Sequence, residues 1–116
     1  MTDQVLEWAP FRLKSGVDEA TLLEMSGRLQ RDFLAHQEGF VRRELIKGAE
    51  GAYIDLVWWA SFAASQAAMK SAARSPMCRA YFGLMDCSDR DPRDEVLLFS
   101  IVGNYRPAAR FLALAI

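Results

Sequence analysis

An acidic residue stands in the middle of an otherwise apolar segment that runs from Ala52 to Trp59. In an extended chain alternate side chains point to the same side, so Tyr53, Asp55 and Trp59 would share one face. A carboxylate that faces a pocket can serve as a general base. Arg43, in the preceding segment, could stabilise an oxyanion. Asp55 and Arg43 are therefore the catalytic candidates.

The segment Gly48-Ala49-Glu50-Gly51 predicts how the two flanking segments pair, because its glycines favour a tight hairpin. With four residues in the loop, Glu44 lies opposite Asp55, and Arg42 can reach Asp55 diagonally. Facing carboxylates repel unless one is protonated or an arginine separates them. This register predicts one shared face for Arg42, Glu44, Tyr53, Asp55 and Trp59. Two interpretations stay open: a polar patch lining a pocket, or an ion pair satisfied inside a barrel.

Aromatic side chains could form the walls of a ligand pocket beside this patch. Trp58 and Trp59 are adjacent in a strand and must face opposite ways, so Trp59 is the pocket candidate. Tyr53, Tyr81 and Phe82 are the other expected lining residues. The alternative is that all of these rings serve only to pack the core.

Other kinds of site find little support in the sequence. The single histidine, His36, stands near a helix end, and no spacing of His, Cys, Asp or Glu suggests a metal site. We expect no metal and no cofactor. Cys78 and Cys87 are predicted to be free thiols, since nothing indicates secretion.

The overall composition narrows the possible partners. The 116 residues are 52% hydrophobic and carry a formal net charge of -1. A near-neutral chain does not favour nucleic acid or an anionic membrane as a partner, because both require clustered basic residues. The N-terminus lacks a signal-peptide pattern, and no apolar run approaches the ~20 residues of a membrane helix. We therefore expect a cytoplasmic protein.

The elements that must position these residues follow the order β-α-β-β-α-β, an α+β arrangement with helices on one face of an antiparallel sheet. Val5 to Leu13 predicts the first strand, with Pro10 at an edge or a bulge. A helix capped by Ser15 or Asp18 follows. The remaining predictions are strands over 40–47 and 52–59, a helix from Ser61 to about Ser75, a short helix over 77–84, a polar loop over 86–94, and a strand over 95–105 that is covered on both faces.

A sheet covered on one face only would leave a second apolar face in water. Val41, Leu45, Ile54, Leu56 and Trp58 are predicted on one side of the hairpin, and Phe40, Tyr53, Val57 and Trp59 on the other. Because a bare apolar face is costly, the pattern predicts a homodimer whose two sheets form a closed barrel. Residues 1–106 would be the domain, and the apolar tail 107–116 would pack on the partner or in the cleft.

These residues resemble the dimeric α/β-barrel superfamily, close to the antibiotic-biosynthesis-monooxygenase-like proteins. The resemblance rests on Gly39-Phe40, on Arg43-x-Leu45, on the alternating series from Gly51 to Ser61, and on Ser75-Pro76 with Tyr81-Phe82. It implies a ferredoxin-like subunit in a dimeric barrel, and activities that include cofactor-free oxidation.

The haem-degrading branch of that superfamily is not supported. It carries an asparagine where this chain has Ala9, a tryptophan near Ala68, and a histidine iron ligand where only Cys78 and Tyr81 stand.

Two hypotheses of function remain. The first is a cofactor-independent monooxygenase acting on a small aromatic molecule. The second is a non-catalytic dimeric module that binds a small apolar ligand or serves in stress.

Overall fold

The computed structural model describes residues 3–87 and 96–108. It contains a four-stranded antiparallel sheet, with the helices packed on one of its faces. The strands are β1 (Val5–Arg12), β2 (Phe40–Lys47), β3 (Ala52–Trp59) and β4 (Leu97–Ser100), in the spatial order β2-β3-β1-β4. The helices are α1 (Glu19–Asp32), α2 (Phe62–Ala72) and α3 (Pro76–Phe82), with a 3₁₀ turn at Leu34–His36. The predicted ferredoxin-like α+β fold is confirmed.

Each helix begins at a polar residue whose side chain accepts a hydrogen bond from a free backbone N–H. Asp18 caps α1 through Thr21 N at 2.9 Å, so Asp18 rather than Ser15 is the cap. Ser61 caps α2 through Ala64 N at 3.0 Å, and Ser75 caps α3 in the same way. Such caps satisfy amides that no helical carbonyl can reach. The second helix was predicted to run to about Ser75, but α2 ends at Ala72, and Ser75 instead caps α3.

The predicted register of the β2–β3 hairpin is wrong by one residue. Gly48 N donates to Ala52 O at 2.8 Å, and Lys47 faces Tyr53, so five residues lie between the two members of this last cross-strand pair. Glu50 and Gly51 supply positive φ angles within this loop. A shift of one residue moves β2 side chains to the opposite face. Asp55 therefore faces Leu45, and not Glu44.

The residues that point toward the helices form a single core. On β3 they are alternate residues, and β1 supplies their cross-strand neighbours. Leu45 belongs to this inner side, although the sequence placed it with Ile54 on the other face. The buried apolar residues are Val5, Phe11, Leu22, Leu29, Phe33, Leu34, Tyr53, Val57, Trp59, Ala68, Cys78, Tyr81 and Met85.

The opposite face of the sheet carries no helix among the described residues, and we call it the outer face. Arg42 and Glu44 lie there as an ion pair at 3.2 Å, and the Arg42 guanidinium stands 4.0 Å from the centre of the Trp58 ring. Arg12 is a further charged residue of this face, and most of the other side chains there are apolar. These apolar residues are Leu6, Trp8, Pro10, Ile46, Ile54, Leu56, Trp58, Leu97 and Phe99.

Two expectations about the edge of the sheet need correction. β1 is an interior strand, and on its β4 side only Val5–Trp8 pair with described β4 residues. The next bridge on the chain is that of Leu13 with Met85, so Pro10 lies between the two paired parts. Its missing N–H therefore breaks no described ladder on that side. β4 is half exposed rather than covered on both faces, and the strand ends at Ser100 instead of reaching Tyr105.

The tail and part of the polar loop lie outside the described residues. Residues 109–116 of the predicted tail and 88–94 of the predicted loop are outside the described ranges. The first two residues of the predicted tail, Pro107 and Ala108, are exposed. No helix within the described residues is long and apolar enough to cross a membrane.

Gly39 joins the 3₁₀ turn to β2 at the point where the chain touches α2. Its φ is +82°, and an added Cβ would stand 2.5 Å from the Cβ of Ala64. Gly39→Ala should therefore cost about 2–4 kcal/mol in urea unfolding, because backbone strain and overpacking add.

Gly16→Ala is the matched control, since its φ is +88° but nothing lies within 4 Å of the added carbon. It should cost about 1–2 kcal/mol, from the strain alone. Adding Ala64→Gly to Gly39→Ala should relieve the packing part of the loss. Equal losses for the two glycines would contradict the described contact.

Candidate active site

A cavity of about 110 Å³ lies between the inner side of the sheet and the helices. Cavities of this order accept one aromatic ring. Most of its wall is apolar, with contributions from β1, β3, α1, α2 and α3. The apolar lining consists of Ala9, Pro10, Phe11, Leu29, Phe33, Leu34, Val57, Ala68, Met69, Ala72, Cys78, Phe82, Met85 and Val96. The polar lining residues are Glu7, Arg43, Asp55, Trp59 and Tyr81.

Three polar residues in this wall form one closed network. Arg43 donates from Nε to Oδ1 of Asp55 at 2.9 Å, and from Nη2 to the Tyr81 hydroxyl at 3.2 Å. Tyr81 in turn donates to Oδ2 of Asp55 at 2.7 Å. Arg43 also donates to the backbone oxygen of Ser26 on α1 at 3.2 Å. The network therefore links β2, β3, α1 and α3 beneath the pocket.

The network is buried, and this sets its chemistry. The side chains of Arg43 and Asp55 are 7% and 10% exposed. Burial, followed by the negative charge of Asp55, raises the pKa of Tyr81 far above its ordinary value, so the phenol keeps its proton. Both oxygens of Asp55 accept hydrogen bonds. These contacts match the ion-pair interpretation of Asp55, with Arg43 in the place that the sequence gave to Arg42.

Glu7 and Trp59 form a second polar pair in the same wall. The indole Nε1 of Trp59 donates to Oε1 of Glu7 at 3.0 Å. Burial raises the pKa of Glu7, the hydrogen bond from Trp59 lowers it, and Asp55 adds a smaller upward effect. The Trp59 ring also contacts Phe40 edge-on, with 5.9 Å between ring centres. Trp59 is 2% exposed, so this pair is fixed in the wall.

Strand register explains why these groups meet. Glu7 on β1, Val57 on β3 and Arg43 on β2 form one cross-strand row, and Ala9 and Asp55 pair in the next. Paired residues of antiparallel strands point to the same side of the sheet. Glu7 was not among the residues predicted from the sequence, although it alternates in step with Val5 and Phe11 on β1 and so shares their inner side.

The structure brings together most of the predicted site residues. Asp55, Arg43, Trp59, Tyr81 and Phe82 all line the pocket. Their catalytic or binding roles stay predictions.

Tyr53 requires a correction, because it lies outside the pocket lining. Its ring stacks on Phe11 with 5.6 Å between centres, and its hydroxyl donates to Glu19 Oε1 at 2.8 Å. Lys47 contacts the same carboxylate at 2.9 Å. Hydrogen bonds from Lys47 and then Tyr53 lower the pKa of Glu19. Arg42 and Glu44, predicted beside Asp55, lie on the outer face.

The two cysteines are free thiols that differ in burial. Cys78 is free and buried in the pocket wall, and its burial raises the pKa of its thiol. Cys87 is free and exposed. In the part of the chain that the structure describes, no three His, Cys, Asp or Glu side chains are grouped as a metal ion would require.

Comparison with known proteins finds similarity in structure alone. No protein-family model matches the chain, and no curated protein matches it. Two structures of SnoaB, a cofactor-independent oxygenase from Streptomyces nogalater, superpose with TM-scores of 0.71 and 0.70 at 21% identity, covering 91% of this chain and all of SnoaB.

Two further structures show how widely this fold is used. A Bordetella bronchiseptica protein, named provisionally as an antibiotic biosynthesis monooxygenase, gives a TM-score of 0.69 at 15% identity over 88% of this chain and all of that one. A haem-degrading protein from Mycobacterium tuberculosis gives 0.56 at 15% identity, over 89% and 99% of the two chains. The chain therefore has the fold of the antibiotic-biosynthesis-monooxygenase-like proteins. Since one fold hosts several chemistries, the argument for function must come from the site.

Proposed function

We propose that this chain, with its monooxygenase-like fold, binds a small aromatic molecule and oxidises it with molecular oxygen without a cofactor. The observation that carries the proposal is the pocket itself, an apolar chamber of ring size with polar groups on its sheet wall. Apolar lining with a few fixed polar groups is the usual composition of a small-molecule site. The fold shared with SnoaB supports the proposal.

The proposed reaction needs only an electron-rich substrate, a proton acceptor and oxygen. A substrate with a CH₂ group between a ring and a carbonyl loses one proton to the protein and becomes a delocalised carbanion. The carbanion gives one electron to O₂, and the two radicals combine as a hydroperoxide after protonation. Loss of water then leaves C=O in place of CH₂, so that substrate and O₂ yield ketone and H₂O. The pocket contributes by excluding water and orienting the ring.

Oxygen uptake tests this function, with a panel of hydroquinones and of ketones whose CH₂ group lies between an aromatic ring and the carbonyl. Ala68 lines the pocket, whereas Ala67 is exposed on the same helix. Ala68→Phe should abolish uptake by filling the cavity, and Ala67→Phe should leave it unchanged. Circular dichroism checks that both variants fold. A wild-type protein that consumes no oxygen with any compound of the panel would contradict the oxidation.

A second candidate function is binding without turnover. It is favoured by the Arg43–Asp55–Tyr81 network, because the two residues predicted to be catalytic are bound to each other. Fluorescence of a Trp8→Phe/Trp58→Phe variant, which retains only Trp59, would report occupancy of the pocket. Saturable quenching without oxygen uptake would support the binding module over the enzyme.

We further propose that the chain acts as a homodimer through the outer face. Leu97 and Phe99 on β4 are 53% and 47% exposed, and Ile46 on β2 is 38% exposed, all on the same face of the sheet. Large exposed apolar patches on soluble proteins mark interaction sites. A twofold partner would place two such faces against each other and form the closed barrel predicted from the sequence. The tail 107–116 would pack on that partner or in the cleft.

Leu56→Lys should convert the dimer to monomers. Leu56 lies on the central strand β3, opposite Trp8 and Glu44. The new ammonium can pair with Glu44 in the isolated subunit, but two such charges would be buried at a twofold interface. Light scattering at micromolar concentration should give twice the chain mass for wild type and one chain mass for the variant. Thr21→Lys, on exposed α1, is the control and should stay dimeric. A monomeric wild type would contradict the proposal.

A further inference from the structure

Two carboxylates line the pocket, and their surroundings differ. Asp55 accepts hydrogen bonds on both oxygens and contacts a guanidinium. The hydrogen bond described for Glu7 comes from the neutral indole of Trp59. Two acids in different environments commonly divide the roles of a site. Asp55 therefore has both oxygens occupied by hydrogen bonds from Arg43 and Tyr81. Glu7 is then the acid of the pocket that can accept a proton from a substrate.

The charge of Arg43 lowers the pKa of Glu7, as the smallest of the effects on it, but the two residues form no ion pair. Arg43, the cation of this wall, directs its guanidinium to Asp55, Tyr81 and Ser26. No ion pair joins Glu7 to a cation among the described residues of the pocket. The hydrogen bond from the Trp59 indole orients the Glu7 carboxyl, and because the indole is neutral it does not cancel the charge of the carboxylate. Glu7 lies in the middle of β1, on a rigid strand, which suits a group that must be positioned accurately.

We propose that Glu7 is the catalytic base of this pocket and removes a proton from a bound aromatic C–H acid. The assignment rests on the proposed function, because it requires an aromatic substrate in this cavity. In the step, the substrate C–H bond breaks and a Glu7 O–H bond forms. The electron pair stays on carbon, delocalised into the ring and the carbonyl, so the negative charge passes from the carboxylate to the substrate.

The surroundings of Glu7 determine the pH dependence of this step. Burial is the largest effect and raises the pKa of Glu7, which makes its carboxylate a stronger base than an exposed one. The facing ionisable groups are Arg43 on β2, Asp55 on β3, and Tyr81 and Cys78 on α3. The base form gains population as pH rises, so the rate should rise through the elevated pKa of Glu7 and then level off.

Anaerobic deuterium exchange isolates this proton transfer from the oxygen chemistry. The probe is 2-indanone, a compact ketone whose CH₂ groups lie between a ring and a carbonyl. With wild-type protein in D₂O, NMR should show loss of the CH₂ proton signal at a protein-dependent rate. Glu7→Gln should lower that rate at least ~100-fold and remove its pH dependence. Glu7→Asp should restore part of the rate, and Glu44→Gln, on the outer face, should leave it unchanged.

The outcomes separate the two proposals. Exchange that depends on Glu7, without oxygen uptake, would keep the base and overturn the oxidation. Oxygen uptake and exchange that are equal in wild type and Glu7→Gln would keep the oxidation and overturn the base. A wild type that fails to bind 2-indanone, or binds it without exchange, also overturns the assignment of Glu7. Unchanged quenching of Trp59 fluorescence by the probe would show that Glu7→Gln retains the pocket.

Discussion

Asp55→Ala should lower the free energy of unfolding by about 3–5 kcal/mol, the cost of leaving a buried charge without its partner. The Arg43 side chain is 7% exposed and would face the vacated space with no carboxylate. The Tyr81 hydroxyl would also lose the acceptor that it contacts at 2.7 Å. Urea unfolding at a fixed protein concentration measures the loss.

The double variant Arg43→Met/Asp55→Leu is the matched test of this explanation. It removes both charges and fills most of their volume, so its cost should fall well below the sum of the two single variants. A second control, Glu24→Ala, removes an acid that is paired with Arg28 on the exposed surface of α1. It should change stability by about 1 kcal/mol or less. A loss of that small size for Asp55→Ala would show that its ion pair is not buried as described.

The adjacent tryptophans should give opposite results when each is replaced by alanine. Trp59 is 2% exposed, contacts Phe40, and donates to Glu7. Trp59→Ala should cost about 3–5 kcal/mol and enlarge the pocket, and the loss should not depend on protein concentration. Trp58 lies on the outer face, so Trp58→Ala should act mainly by weakening the dimer, and its effect should diminish as concentration rises.

Trp59→Phe distinguishes the packing role of Trp59 from its hydrogen bond. The variant keeps most of the apolar volume but leaves Glu7 Oε1 without its indole donor. Because that hydrogen bond lowers the pKa of Glu7, its removal should raise the pKa further. The pH profile of deuterium exchange should then shift upward. Concentration-independent losses of equal size for Trp58→Ala and Trp59→Ala would contradict the assigned faces.

The order of the elements could be predicted because each carries local signals. Gly51, Ser61 and Pro76 mark boundaries that the backbone physics of turns and helix caps requires. The alternation of β3 is confirmed residue by residue, with 53, 55, 57 and 59 buried and the residues between them only partly so. These signals depend on neighbours along the chain, which the sequence displays directly.

The register of the hairpin could not be read in the same way. It depends on whether Lys47 pairs with Ala52 or with Tyr53, a difference of one residue that reverses every β2 side chain. An irregularity between Phe40 and Arg42 adds a second shift near the other end of β2. Arg43 and Arg42 are chemically identical neighbours, so composition could not decide which one contacts Asp55. Glu7 was missed for a related reason, because its role depends on Trp59, which is 52 residues away.

The different burial of the two thiols makes it possible to measure how often the pocket opens. Cys87 is exposed and should react with an alkylating reagent at once, whereas Cys78 is 2% exposed and its raised pKa keeps the thiolate scarce. Modification of Cys78 therefore requires the helical layer to part from the sheet for a time. The ratio of the two labelling rates reports how often that opening occurs, and a molecule held inside should slow the inner reaction alone.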